Sequence, residues 1–301
     1  MIRHVSAALT SLLFPRYSRR YASARPWLLR PYQEAAIDAV YSLWKEKKVQ
    51  RQVVSLPVGS GKTVVFAHLI QRLQEAAPSK KVLVLAHREE LLLQARATIE
   101  RYNPRARTAL ERGKEHAEVG LADVVIASVP TLGRLHSARL QKFDPAAFGC
   151  IIIDEAHHAT ASTYVRILEH FHLDQPTSQA ERPLLVGFSA TVLRHDGVRL
   201  GQVFDYLAFH LPLADMMQQQ WLCPLRVTTV KTKTSLSEVE TLGPTGDFKV
   251  DQLGKAVNQP LRNELVVQTW QNYCMIDALP RTYLISCVTF SECQIDARFC
   301  G

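Results

Sequence analysis

The sequence predicts an α/β fold built on a parallel sheet, and three observations carry that reading. Short apolar runs rich in Val, Ile and Leu recur along the chain. Stretches whose apolar residues fall at helical spacing separate them. Each conspicuous glycine-rich or acidic segment begins where an apolar run stops, and open parallel sheets hold their ligands beyond the carboxyl ends of the strands.

Taken in order, Ala36, Ile37, Val40, Leu43 and Trp44 predict a helix over 35–48. Residues 52–56 read as a strand and 57–61 as a turn. Val65, Phe66, Leu69, Ile70 and Leu73 predict a helix over 62–75. Residues 81–86 (KVLVLA) form a nearly continuous apolar run, as in a strand buried on both faces. A helix is expected over 89–102, and strands over 123–128, 148–153 and 183–188. Further on, 227–230 reads as a strand. Residues 235–255, with Gly243, Pro244, Gly246 and Gly254, read as a loop or linker. A helix follows over 260–273, with Leu261, Leu265, Val266 and Trp270 on one side. A last strand is expected over 282–288 (TYLISCV).

Composition narrows the class. The 301 residues leave room for about two domains, and 47% hydrophobic with 21% charged residues is ordinary globular usage. The uncharged run over 5–14 is far short of the ~20 residues a membrane helix needs. The net charge is +8, but it falls to +2 once six arginines of the first 33 residues are set aside (Arg3, Arg16, Arg19, Arg20, Arg25, Arg30). Bulk charge therefore says little about a polyanionic partner. That acid-free, Arg/Ser/Ala-rich leader suits a mitochondrial transit peptide over 1–26; a disordered basic tail is the plainer alternative. The six cysteines form no C-x-x-C pair and no zinc spacing, so reduced thiols are expected.

The strongest local feature is Leu56-Pro57-Val58-Gly59-Ser60-Gly61-Lys62-Thr63, between an expected strand and an expected helix. A polyphosphate needs donors at close range. Gly59 and Gly61 let the backbone turn its N–H groups inward, with Val58 and Ser60 completing the loop. The helix that follows adds its positive end. Lys62 can reach the β- and γ-phosphates, and Thr63 offers a hydroxyl to Mg²⁺. Leu56 stands where the strict phosphate-loop spacing has Gly. Residues 151–157 (IIIDEAH) then place two acids after an apolar strand. Asp154 can hold the hydration shell of Mg²⁺, and Glu155 can orient the attacking water. His157 is read as a coupling residue and His158 as a surface residue. A small-substrate kinase is one alternative; the acidic pair followed by His and the later Ser-Ala-Thr argue against it.

This order of motifs resembles superfamily-2 helicases and translocases of the DEAD/DEAH group, and within them the mitochondrial ATP-dependent helicases of fungi. The resemblance implies a RecA-like P-loop NTPase lobe, a three-layer α/β/α sandwich. Leu29-Arg30-Pro31-Tyr32-Gln33 is similar to the adenine-recognising element, with Gln33 at the base edge and Arg30 beside it. Residues 86–91 (AHREEL) and 128–132 (SVPTL) resemble strand-contact motifs, which implies nucleic-acid contacts for His87, Arg88, Ser128 and Thr131. Helix capping by Ser128 and Thr131 is the plainer reading. Ser189-Ala190-Thr191 resembles the coupling motif, extended by Arg194, Asp196 and Gly197. The arginines between 96 and 112 alternate with acids and read as a solvated face. His170 and His172 read as surface residues.

The expected organisation is a leader over 1–26, an ATP-binding lobe over 27–211, a linker over 212–260 and the start of an incomplete second lobe over 261–301. Thr289-Phe290-Ser291 resembles that lobe's motif IV. No arginine-rich last motif follows, and Arg281 and Arg298 do not match it. The resemblance thus implies a monomeric matrix protein using ATP and Mg²⁺ on nucleic acid, DNA favoured over RNA. It also implies weak hydrolysis without the second lobe's arginine. A catalytically weak ATP- and nucleic-acid-binding module is the competing reading.

Overall fold

In the computed structural model, residues 29–135, 137–174, 182–191, 200–224, 239–242 and 247–274 are described. The leader lies outside them, as do the strands expected at 227–230 and 282–288, Thr289-Phe290-Ser291, and Arg194, Asp196 and Gly197. The contact pattern divides the chain into one unit ending at Pro224 and another beginning at Leu225.

The first unit alternates helix and strand. Helix α1 (Pro31–Lys45) opens on a proline, whose fixed φ suits a first helical position. It leads through β1 (Arg51–Ser55) to α2 (Lys62–Ala76), then β2 (Lys81–Ala86), α3 (Glu89–Tyr102), β3 (Thr108–Glu111), β4 (Val124–Ser128) and the one-turn α4 (Val129–Leu132). Next come β5 (Phe148–Asp154), α5 (Ser162–His170), β6 (Leu184–Ser189), α6 (Leu200–Val203), β7 (Tyr206–His210) and α7 (Leu213–Gln218). All seven strands form one sheet in the order β3-β4-β2-β5-β6-β1-β7, and every pairing is parallel.

The pleat sorts the core into two layers. Val54, Val82, Val84, Ile126 and Ile152 face α1, α2 and α3. Val53, Leu83, Leu85, Ile151 and Ile153 face α4 and α5. Side chains alternate across a strand, so the continuous apolar runs are those with both faces covered. Phe66 of α2 meets Phe188 of β6 edge-on at 5.6 Å and ties the first helical layer to the sheet centre. Helices on both faces of a parallel sheet are the expected three-layer sandwich.

Two edge strands went unread in the sequence. β3 is only four residues long and ends on Glu111, while β7 (YLAFH) is apolar but short and largely exposed. The first unit also continues past Leu211. Met216 of α7 is fully buried, and Trp221 and Leu222 pack against the same core as α1, so residues 212–224 go with this unit rather than with the expected linker.

The second unit contains a short antiparallel pair, β8 (Thr241–Leu242) with β9 (Asp247–Phe248), then α8 (Val250–Val257) and α9 (Pro260–Cys274). The loop expected over 235–255 therefore holds two strands and a helix. An ion pair between Glu240 and Lys249 joins the two sides of this hairpin. Helix α9 matches the helix expected over 260–273, but Leu261 is 82% exposed. The described part of this unit is too small to cover an apolar face.

Candidate active site

The candidate residues gather at the carboxyl ends of β5, β6 and β1, which are neighbours in the sheet. Register aligns them: Ser55 of β1 pairs with Ser189 of β6, and Asp154 of β5 with Phe188 of β6. Three loops that are distant in sequence thus leave the sheet on one rim.

The loop after β1 bends where the sequence anticipates. Gly59 has φ +83° and Gly61 φ +78°, a region where a side chain is strained. A Cβ at Gly61 would stand 2.8 Å from Nε2 of Gln33. Gln33 Nε2 and the Tyr32 hydroxyl both donate to the Ser60 carbonyl, at 3.0 and 2.7 Å. The Ser60 hydroxyl is buried and has no protein partner among the described residues, as an orphan kept for a phosphate oxygen would be. The Val58 side chain is 76% exposed, so only its backbone is available to a ligand in the loop.

Gln33 is 6% exposed and already engaged: its Oε1 accepts from the Arg30 N–H at 3.0 Å. One donor and one acceptor position remain on the amide, enough for a base edge. Arg30 reaches Tyr32 Oη at 3.3 Å and the Trp221 carbonyl at 3.5 Å, and Tyr32 meets the Trp221 ring edge-on. Tyr32, Trp221 and Leu222 thus support the loop. Tyr32 is visible beside Gln33 in the sequence; Trp221 has no local signal, because its role comes from α7 turning the chain back.

Across the rim, Lys62 Nζ lies 3.9 Å from Glu155 Oε1 and 3.5 Å from the Leu56 carbonyl. Glu155 has φ +52°, and this left-handed residue turns the chain sharply at the strand tip. The turn brings His157 Nδ1 to 3.3 Å from Glu155 Oε2 and 3.2 Å from Ser189 Oγ. Ser189 Oγ in turn donates to the Thr191 carbonyl at 3.1 Å, so Thr191 joins through its backbone. The phosphate loop, the acidic tip and the Ser-Ala-Thr segment form one connected set.

Asp154 is 6% exposed. Burial, and then the neighbouring Glu155 carboxylate, push its pKa above the ordinary carboxylate value; the Glu155 N–H bond and Lys62 pull the other way. Two carboxylates beside one ammonium suit a divalent cation. Mg²⁺ is usually held by one or two carboxylates together with phosphates and water. Asp154 and the Thr63 hydroxyl, in the first turn of α2, are the residues that would hold it. The proton-bound form of Asp154 favours folding. Its cost to the nucleotide-free chain is therefore small below the unfolded value of about 3.9 and grows as pH rises through the raised folded value. Asp154→Asn should melt about 2–4 °C higher than the parent at neutral pH, with the gap closing in acid. A melting series over pH checks it; a lower melting point at neutral pH would contradict the burial argument.

The strand-contact candidates occupy the other half of the same rim. His87 and Arg88 are exposed after β2, and Ser128 ends β4. Ser128 makes no side-chain cap bond on α4, while Thr131 Oγ1 accepts from the Gly113 N–H at 3.2 Å. Three of the five arginines in the stretch between 96 and 112 pair with acids: Arg96 with Glu100, Arg107 with Asp123, and Arg112 with Glu89 and Glu115. His170 departs from its surface reading, since its Nε2 lies 2.6 Å from the Phe143 carbonyl.

The family described as Type III restriction enzyme, res subunit, matches residues 27–194. The chain belongs to this family. A protein of Saccharomyces cerevisiae provisionally named ATP-dependent helicase IRC3 is 37% identical over 262 residues, 85% of this chain and 37% of the relative. A Schizosaccharomyces pombe protein provisionally named mitochondrial ATP-dependent helicase irc3 is 38% identical over 209 residues, 69% of this chain and 33% of the relative. A protein of Kineococcus radiotolerans named DNA 3'-5' helicase XPB is 26% identical over 222 residues, 72% and 35%. The chain spans about a third of the length of these relatives. The expected resemblance to superfamily-2 helicases of fungi is borne out. Membership of the Res-subunit family also removes the kinase reading.

Proposed function

We propose that this chain carries the ATP-binding lobe of a nucleic-acid-dependent ATPase of helicase type. The observation that carries the reading is the approach of Lys62 to Glu155 at 3.9 Å, continued through His157 to Ser189. It links the bend after β1 to the carboxylate after β5 across the intervening strand β6.

In this reading the N–H groups of residues 58–63 and the start of α2 receive the phosphates, with Lys62 on the β- and γ-oxygens. Thr63 and Asp154 would hold a Mg²⁺ ion, which would supply charge neutralisation on those oxygens. Glu155 orients the attacking water and draws on its proton. Gln33, with Arg30, selects the adenine edge. His157 holds Glu155 in place and shares its proton-bearing nitrogen with Ser189. His87, Arg88, Ser128 and Thr131 receive a strand backbone, a mode of contact without sequence readout. DNA is the favoured strand, because one relative's name specifies a DNA helicase. A mitochondrial place, in the matrix, rests on the fission-yeast relative's name and the acid-free basic leader. Among the described residues no helix is long and apolar enough to cross a membrane.

Phosphate release, measured with and without single-stranded DNA or RNA, tests the proposal. The expected result is ATP cleavage that rises with strand and is lost in Lys62→Ala. A wild-type chain that neither binds ATP nor responds to either strand would overturn it.

A further inference from the structure

We infer that His158 is a positioning residue that links strand binding to the nucleotide site by packing its ring between those of His157 and His87; this rests on the function proposed above. The ring centroids of His157 and His158 are 4.1 Å apart with planes at 45°, and those of His158 and His87 are 5.8 Å apart at 34°. Three imidazoles form a row that crosses from the tip of β5 to the tip of β2, strands paired directly in the sheet. The row ends at one side on the strand-contact segment. At the other it ends on the histidine that bridges Glu155 and Ser189.

Local geometry explains the row. The left-handed Glu155 starts a single 3₁₀ turn over Ala156–His158, closed by the His158 N–H donating to the Glu155 carbonyl at 3.1 Å. That turn sends consecutive histidines along the rim instead of to opposite sides, as they would point in a continued strand. Leu85 of β2 pairs with Ile153 of β5, so His87 leaves the sheet beside the same turn.

The coupling has a physical source. Lys62 Nζ lies 3.9 Å from Glu155 Oε1. A triphosphate competes for the Lys62 ammonium, and Glu155 is released to orient water. His157, bonded to Glu155, follows, and a ring touching it must follow too. Any such link is reciprocal: strand must change nucleotide affinity by the factor with which nucleotide changes strand affinity.

The experiment uses the full chain, a fluorescent mant-ATP probe and a labelled oligothymidylate, each titrated with and without the other ligand. In the parent, each ligand should shift the other's dissociation constant by the same factor, on the order of 5–150-fold. His158→Ala should leave each separate affinity within about twofold and bring the coupling factor close to one. His158→Phe, which restores a ring, should recover the coupling; His158→Gln, which restores only polar bonding, should not. Coupling that survives in His158→Ala, or that returns with Gln and not with Phe, overturns the inference while leaving the proposed function standing. A parent chain with no coupling between the two probes defeats the functional reading itself. Should His158→Ala fail to fold in a thermal melt, the comparison of Phe with Gln decides alone.

Discussion

Replacing Glu155 by glutamine should lower single-turnover ATP cleavage by about 10²–10⁴-fold while the chain still binds ATP. Glutamine keeps the size and one acceptor oxygen, so water can still be held. It cannot draw on the water's proton as a carboxylate does, and it carries no charge. Binding should hold or tighten, because Lys62 loses the carboxylate 3.9 Å away that competes with the triphosphate for its ammonium. The same change removes the one carboxylate that raises the cost of ionising Asp154. Quench-flow cleavage and mant-ATP titration on one preparation separate the two effects. Equal losses in binding and cleavage would assign Glu155 to ligand capture and sink its role as water-orienting base.

Much of this site was legible because its parts are local. A bend between strand and helix needs glycine where φ is positive, and Gly59 and Gly61 announce it. Acids after a buried strand are costly unless used, so Asp154 and Glu155 stand out. Four of the five central strands were legible because burial on both faces leaves an apolar run; β1 (RQVVS) was read from the turn that follows it. What escaped reading is what depends on the fold bringing distant residues together. Trp221 accepts from the Arg30 side chain across about 190 residues. His158 is exposed, as read, but its two ring contacts arise only from the turn at Glu155. The edge strand β7 (YLAFH) is apolar but short and largely exposed, and it was not read. Besides its ladder with β1, it is tied at its start by one arginine at the first position of β1.

That arginine supports the second large expectation: Arg51→Ala should cost about 3 kcal/mol of folding stability, at the low end for breaking a buried ion pair. Arg51 is 4% exposed at the first position of β1. Its guanidinium forks onto both carboxylate oxygens of Asp205, just before β7. It also donates to the carbonyls of Leu173, Asp174 and Gln202 at 3.3–3.4 Å. One side chain thus pins the end of the α5 segment, the end of α6 and the start of β7 to the sheet. Asp205 is 40% exposed on its side chain and can be rehydrated when Arg51 is removed, which keeps the loss from being larger. The reverse change is harsher. Asp205→Asn leaves a fixed cation in the interior with carbonyls alone around it, and an arginine does not shed its proton to escape. Asp205→Asn should therefore cost at least as much as Arg51→Ala, although it alters the more exposed partner. Arg51→Lys should recover less than half, since an ammonium is a point donor and cannot span the fork and the carbonyls together. Urea midpoints at constant slope measure all three. A cost below about 1 kcal/mol for Arg51→Ala would mean that β7 is held by its pairing with β1 alone, and that the buried fork is only an ordinary surface pair.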